Sequence, residues 1–184
     1  ITHELRTPLT AIQGYAELLP GEESGDKRNR YSDNIRQSAR RMLSMLTSLL
    51  DFFRLESGKE QPNPAPFRLQ SIADALCEAF RPLTESKGLR LDIRNDSDVV
   101  LDGDRELITR ICDNLLSNAV KFTDNGTVSF RSAYSDGNLT ITVADTGTGM
   151  DTDERQRVFG AFERLSNAAT QDGFGLGLSI VSHI

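Results

Sequence analysis

The sequence predicts an α+β fold in two parts, a helical hairpin and then a mixed α/β domain. Three observations carry that expectation. Apolar residues recur three and four apart up to Glu56, a proline-rich stretch interrupts the chain, and strand-like alternation then mixes with helical periodicity.

Residues 1 to about 19 carry Leu5, Leu9, Ile12, Ala16 and Leu19 at heptad-like spacing, the seam of a helix packed on other helices. Pro20-Gly21 stops it, and residues 21–26 read as a polar turn. A second helix is expected from about Lys27 to Glu56, with Ile35, Met42, Met45, Leu49 and Phe52 on one seam. Leu43, Leu46, Leu50 and Phe53 make that helix apolar on a second side. One hairpin cannot bury both sides, whereas a four-helix bundle made by two chains can. Three prolines between Pro62 and Pro66 cannot continue a helix, so residues 58–66 read as a stiff linker between units at 1–57 and 67–184.

The second unit reads as helix 71–87, strand 89–94, a short strand 99–101, helix 104–122, then strands 127–134 and 139–144 around the turn Ser135-Asp136-Gly137-Asn138. Residues 146–174 are rich in Gly, Thr, Asp and Asn with one short helix at 151–158, and a last helix begins near Gly175. A loop of this length in a compact domain is usually functional.

Composition narrows the function. The 184 residues hold 21 Lys+Arg and 27 Asp+Glu, a net charge of −6, with no basic tract, which disfavours nucleic acid as a partner. No apolar run approaches the ~18 residues of a membrane span, so this piece is expected not to be membrane-inserted. Cys77 and Cys112 fall in helix-like segments and suit a reducing compartment, without a disulfide framework. The pattern opens inside one helix and closes inside another, so a piece of a longer protein is expected.

Four segments carry chemistry. Asn114, Asn118 and Lys121 share one helix face; amide oxygens are hard ligands suited to Mg²⁺, and an ammonium suits phosphate. Taken alone they also fit a solvated face. In Asp145-Thr146-Gly147-Thr148-Gly149-Met150 a strand ends on a carboxylate that, at the floor of a cleft, could accept a hydrogen bond from an exocyclic amine such as that of adenine. Gly147 and Gly149 would let a flat ring approach. Gly173-Phe174-Gly175-Leu176-Gly177 opens the last helix, where free N–H groups favour an anion; it is neither a Rossmann nor a Walker motif. At the N-terminus, His3, Glu4 and Thr7 lie within one turn, and Pro8 is expected to loosen that turn by deleting a hydrogen bond to Glu4.

Together, and in this order, these segments resemble the conserved boxes of bacterial sensor histidine kinases. His3-Glu4-Leu5-Arg6-Thr7-Pro8-Leu9 is similar to their phosphoacceptor box, and the stretch from Asn114 to Thr123 to their asparagine box. The two glycine segments resemble their glycine boxes, and Phe159-Gly160-Ala161-Phe162-Glu163-Arg164 the phenylalanine box between them. The resemblance implies a dimerising hairpin, a linker and an ATP-binding α/β sandwich of the Bergerat (GHKL) type shared with gyrase and heat-shock chaperones. It implies ATP and Mg²⁺ as cofactors, His3 as phosphoryl acceptor, Glu4 as its proton acceptor, and Thr7 as the position that holds water for dephosphorylating a partner. It also implies Asn118 with Asn114 as metal ligands, Lys121 on phosphate, and Asp145 on adenine with Gly147 and Gly149 beside it. Gly173, Gly175 and Gly177 would cradle phosphates, and Phe162 and Arg164 would belong to a lid. The partners implied are a second copy and a response-regulator receiver domain, in a cytoplasmic part of a protein that can be anchored in the inner membrane. In the family the first helix begins well before the histidine and two more strands follow the last helix, so both ends are expected to be truncated. His183 has no matching role and reads as a helix-surface residue. The alternative reading is a pseudokinase or scaffold that binds nucleotide and docks a regulator without phosphotransfer. A gyrase-like ATPase clamp fits less well, because such clamps use a carboxylate roughly where Asn114 stands.

Overall fold

The computed structural model describes residues 2–58, 61–163 and 175–184, with only the backbone described at 2–4. Helix α1 (Thr2–Leu18) and helix α2 (Gly25–Glu56) form the antiparallel hairpin. Its register is marked by Tyr15 and Tyr31, whose rings lie 5.6 Å apart. The predicted seam of α2 faces inward, with Met45 and Phe52 buried and Ile35, Met42 and Leu49 half-buried. Leu43, Leu46, Leu50 and Phe53 are exposed. Pro8 lies inside α1, which is assigned helix from Thr2 to Leu18, so the bond to Glu4 that it removes does not break the helix.

The α/β domain is a two-layer sandwich of strands β1 (Ala65–Arg68), β2 (Arg90–Asn95), β3 (Val100–Gly103), β4 (Thr127–Ser135) and β5 (Asn138–Asp145), covered on one face by α3 (Gln70–Lys87) and α4 (Arg105–Phe122). The short helices α5 (Thr152–Arg157) and α6 (Gly177–His183) complete it. Sheet order is β2-β4-β5, with β2 parallel to β4 and β4 antiparallel to β5, beside a separate β1-β3 ladder. The hairpin turn falls on Asp136 and Gly137, both left-handed, at the predicted place. Strand β1 corrects one expectation, because it starts inside the stretch read as linker. Pro66 is tolerated there since the ladder has only two strands, and Phe67 is its one buried residue.

Phe130, Val128, Leu116, Ile72, Leu76 and Phe80 form the centre of the core between sheet and helices. Burial pushes the Cys112 thiol up to about 12, so it stays protonated within this core. Asp104 caps α4 by accepting from Leu107 N–H at 3.0 Å, and its second oxygen accepts from Asn63 N–H at 2.7 Å. At the other end of α4 the Lys87 ammonium donates to the carbonyls of Val120 and Lys121. Among the described residues no helix is long and apolar enough to cross a membrane.

Candidate functional site

The chemistry-bearing segments of the α/β domain converge on α4. Asn114 Nδ2 donates to the Arg110 carbonyl at 2.8 Å, which turns the amide oxygen outward, toward the first residue of α6. A Cβ on Gly177 would lie 2.9 Å from that oxygen and 3.6 Å from Asn118 Nδ2. The glycine at the α6 start and the two asparagines therefore line one small space. Lys121 is half-buried, with its ammonium 4.4 Å above the Phe122 ring, at the mouth of a groove between α3 and α4.

The turn after β5 meets the other end of α4. Asp145 Oδ1 accepts from Gly147 N–H at 2.8 Å, which closes the turn locally. A Cβ on Gly147 would run into the Phe122 carbonyl, so only glycine lets this turn sit against the helix end. Gly149 needs no room but is left-handed, at φ 67°. The expected cleft floor is corrected here: Asp145 is exposed at the end of β5, where the chain turns against the C-terminal end of α4. Thr146, which drew no notice in the sequence, ties the rim together. Its hydroxyl accepts from Thr127 N–H at 3.0 Å and donates to Asn125 O at 3.3 Å.

Phe162 of the phenylalanine segment meets Gly175, thirteen residues on in sequence. Phe162 N–H donates to Gly175 O at 2.9 Å, and both residues are left-handed, Phe162 at φ 65° and Gly175 at φ 67°. A Cβ on Gly175 would strike the Glu163 backbone, so this crossing requires glycine. Arg164 and Gly173 lie outside the described residues.

On the hairpin, His3 stands in the first turn of α1, while its side chain and that of Glu4 lie outside the described residues. Thr7, one turn on, is exposed, and Pro8 beside it is half-buried. The hairpin and the α/β domain touch through α2. Phe52 packs edge-on against Phe162 at 6.1 Å and against His183 at 5.5 Å, so His183 is exposed yet not merely a surface residue. Asp51 pairs with Arg110 at 3.5 Å. Sequence reading missed this junction, since its two sides are distant in the chain and each looks ordinary locally.

Among the described residues no group of three His, Cys, Asp or Glu side chains could hold a metal ion. Asn114 presents its amide oxygen to this space, a hard ligand that fits Mg²⁺ sharing its coordination with phosphate and water, whereas the Asn118 atom nearest Gly177 is Nδ2.

Both units match known protein families. Residues 1–58 match the family model of the His Kinase A (phospho-acceptor) domain, and residues 103–184 that of the histidine kinase-, DNA gyrase B- and HSP90-like ATPase. An uncharacterized sensor-like histidine kinase of Rhizobium meliloti is 38% identical, covering 98% of this chain and 36% of that protein. The autoinducer 2 sensor kinase/phosphatase LuxQ of Vibrio parahaemolyticus is 34% identical over 100% of this chain and 23% of its own. Full-length ShkA in complex with AMPPNP superposes with a TM-score of 0.75 at 31% identity, over 98% of this chain and 38% of that one. Histidine kinase ThkA in complex with the response regulator TrrA shares the fold, with a TM-score of 0.71 at 20% identity over 89% of this chain and 48% of that one. The class these findings define is a protein-histidine kinase, a phospho-acceptor hairpin joined to an ATPase-type sandwich. The chain belongs to the sensor histidine kinases, and it spans about a third or less of the length of the curated relatives it matches.

Proposed function

We propose that this chain is the kinase core of a two-component signalling protein, which binds Mg-ATP and transfers the γ-phosphoryl group to His3 and then to an aspartate of a response regulator. The observation that carries it is the meeting of Gly177 with Asn114 and Asn118. An asparagine oxygen turned toward a glycine-opened helix start leaves room for phosphate on one side and supplies a metal ligand on the other. Mg²⁺ would neutralise charge on the transferring phosphates, which a net acidic protein needs placed locally. Asn114 and Asn118 would hold it, Lys121 would swing from Phe122 to phosphate, and Asp145 would accept from the adenine amine with the oxygen that Gly147 does not occupy. Gly147 and Gly149 would admit the ring, Gly175 and Gly177 the phosphates, and Phe162 the closing segment.

At His3 one imidazole nitrogen attacks the γ-phosphorus, the bond to ADP breaks, and Glu4 accepts the proton from the other ring nitrogen. The free imidazole pKa of ~6.5 suits that role near neutrality. LuxQ is described as a kinase/phosphatase. Thr7, exposed one turn from His3, is the residue that would hold water in line on a docked phosphoaspartate. The partners proposed are a second copy, through the exposed face of α2, and a receiver domain, the class of partner present in the ThkA complex.

The test is incubation with γ-labelled ATP and Mg²⁺. Acid-labile, alkali-stable label on the wild type and none on His3→Ala is expected, with nucleotide binding equal in both. Binding without label on the wild type would leave the scaffold reading in its place.

A further inference from the structure

Strands β4 and β5 part company in an unusual way. Their ladder ends at the pair Val128 and Asp145. One residue further, an ordinary antiparallel pair would exchange two backbone bonds. Here Thr146 N–H donates to Thr127 O at 3.2 Å, but the return bond from Thr127 N–H goes to the Thr146 side chain, Oγ1 accepting at 3.0 Å. The side chain thus completes the pairing while the backbone leaves the sheet for the Gly147 turn. The hydroxyl has a single proton, and it donates this to Asn125 O at 3.3 Å.

The loop that receives these bonds is shaped for them. A Cβ on Gly126 would collide with Thr146 Oγ1, so the glycine vacates the space that the hydroxyl fills. Gly126 is also at φ 116°, and its carbonyl accepts from Arg90 N–H at 2.9 Å, which ties the loop to β2. Asn125 lies three residues past Phe122, the last residue of α4. On its other side Thr146 is bonded to Asp145 and Gly147, the residues that close the turn. Gly147 seats on the Phe122 carbonyl by shape, whereas the Thr146 hydroxyl links the turn to the exit of α4 by directional bonds. Because α4 also carries Asn114, Asn118 and Lys121, this link sets how the Asp145 carboxylate stands relative to them.

We propose that Thr146 is a positioning residue for nucleotide, its hydroxyl fixing Asp145 where base and phosphates can be held at once. The role rests on the base-binding reading of Asp145 given above. The proton and one lone pair of the hydroxyl are committed to backbone, so Thr146 acts through Asp145 and not on the base itself. Thr146 is exposed, and an exposed side chain adds little to the stability of the fold. Its loss should therefore be felt in binding before it is felt in unfolding.

The test is calorimetric titration with ATP and with inosine triphosphate, which carries an oxygen where adenine has its exocyclic amine. Thr146→Val keeps the branched shape and removes the hydroxyl. Its ATP affinity should fall about fivefold, and Thr146→Ser should restore it. Affinity for inosine triphosphate should not fall, since that base has no amine for Asp145 to meet. Added to Asp145→Asn, Thr146→Val should cost nothing further, because both act on one contact. Thermal unfolding checks that the variants are folded, and Thr146→Ala repeats the comparison if the valine does not fit. Unchanged ATP affinity in Thr146→Val, equal losses for both nucleotides, no rescue by serine, or a loss that adds to that of Asp145→Asn would overturn the positioning role. A wild type that binds the two nucleotides alike would overturn the base reading of Asp145, and the role of Thr146 with it.

Discussion

Asp145 shows how far a single residue can be read. Its place at a strand end before alternating glycines was legible, because the carboxylate and Gly147 form a local hydrogen-bonded turn that needs no distant partner. Its exposure was not legible, since that depends on how the end of α4 meets the turn, two segments distant in the chain. The substitution that separates its two duties is Asp145→Asn. The amide oxygen can still accept from Gly147 N–H, while the other position becomes a donor facing the proposed adenine amine. A loss of about tenfold to a hundredfold in ATP affinity is expected, with unchanged thermal stability. Calorimetric titration with ATP and with GTP checks it, and equal ATP affinity would remove Asp145 from the base-binding role.

At the scale of elements, α4 was the most legible. Its N-cap, its apolar stripe and its amide face all lie within one continuous stretch. Asp104 accepts two backbone N–H groups, first that of Asn63 and then that of Leu107, and both hold its carboxyl below the ordinary value. The stability this confers is present above the unfolded carboxylate pKa of ~3.9 and is lost as pH falls through the lower folded value. Asp104→Ala should cost about 1 kcal/mol at pH 7, and the gap from wild type should shrink below about pH 4. Urea unfolding at the two pH values measures it. The start of α6 gives a sharper case. Alanine is a better helix former than glycine by about 1 kcal/mol, so Gly177→Ala would stabilise an unconstrained helix. Here its Cβ would press on an Asn114 oxygen that cannot turn away without losing its bond to Arg110. Nucleotide affinity should fall by about tenfold or more while the fold survives; unchanged affinity would show that the oxygen and the α6 start do not share a ligand. Strand β1 was the least legible element. Four residues with one buried side chain carry too little periodicity to outweigh the prolines around them.

For the whole molecule, the division into hairpin and sandwich could be read because each has its own periodicity. The pairing of β2 with β4 and the contact of α2 with α6 could not, since both join distant segments whose local sequences are indifferent to the partner. The surface that hairpin periodicity leaves over is Leu43, Leu46, Leu50 and Phe53, spaced three, four and three apart along α2. Each such side chain buried between two copies contributes about 1.5–3 kcal/mol. Sedimentation should therefore show a dimer at micromolar concentration, and Leu43→Lys with Leu50→Lys should yield monomers with the α/β domain still folded. A monomeric wild type would sink the bundle reading.

The hydrogen bond from Phe162 to Gly175 has an evolutionary corollary. It brings Phe162 and Gly175, thirteen residues apart in sequence, to one point of the domain. Closing a longer loop costs little, about 0.6 kcal/mol for each doubling of length. Insertions and deletions between these two residues are then nearly neutral for folding. What ties the stretch down is ligand chemistry instead, because Arg164 and Gly173, both assigned to the nucleotide site by resemblance, lie within it. The glycine at position 175 is the residue that makes this freedom available, because the crossing of the two ends has no room for any other.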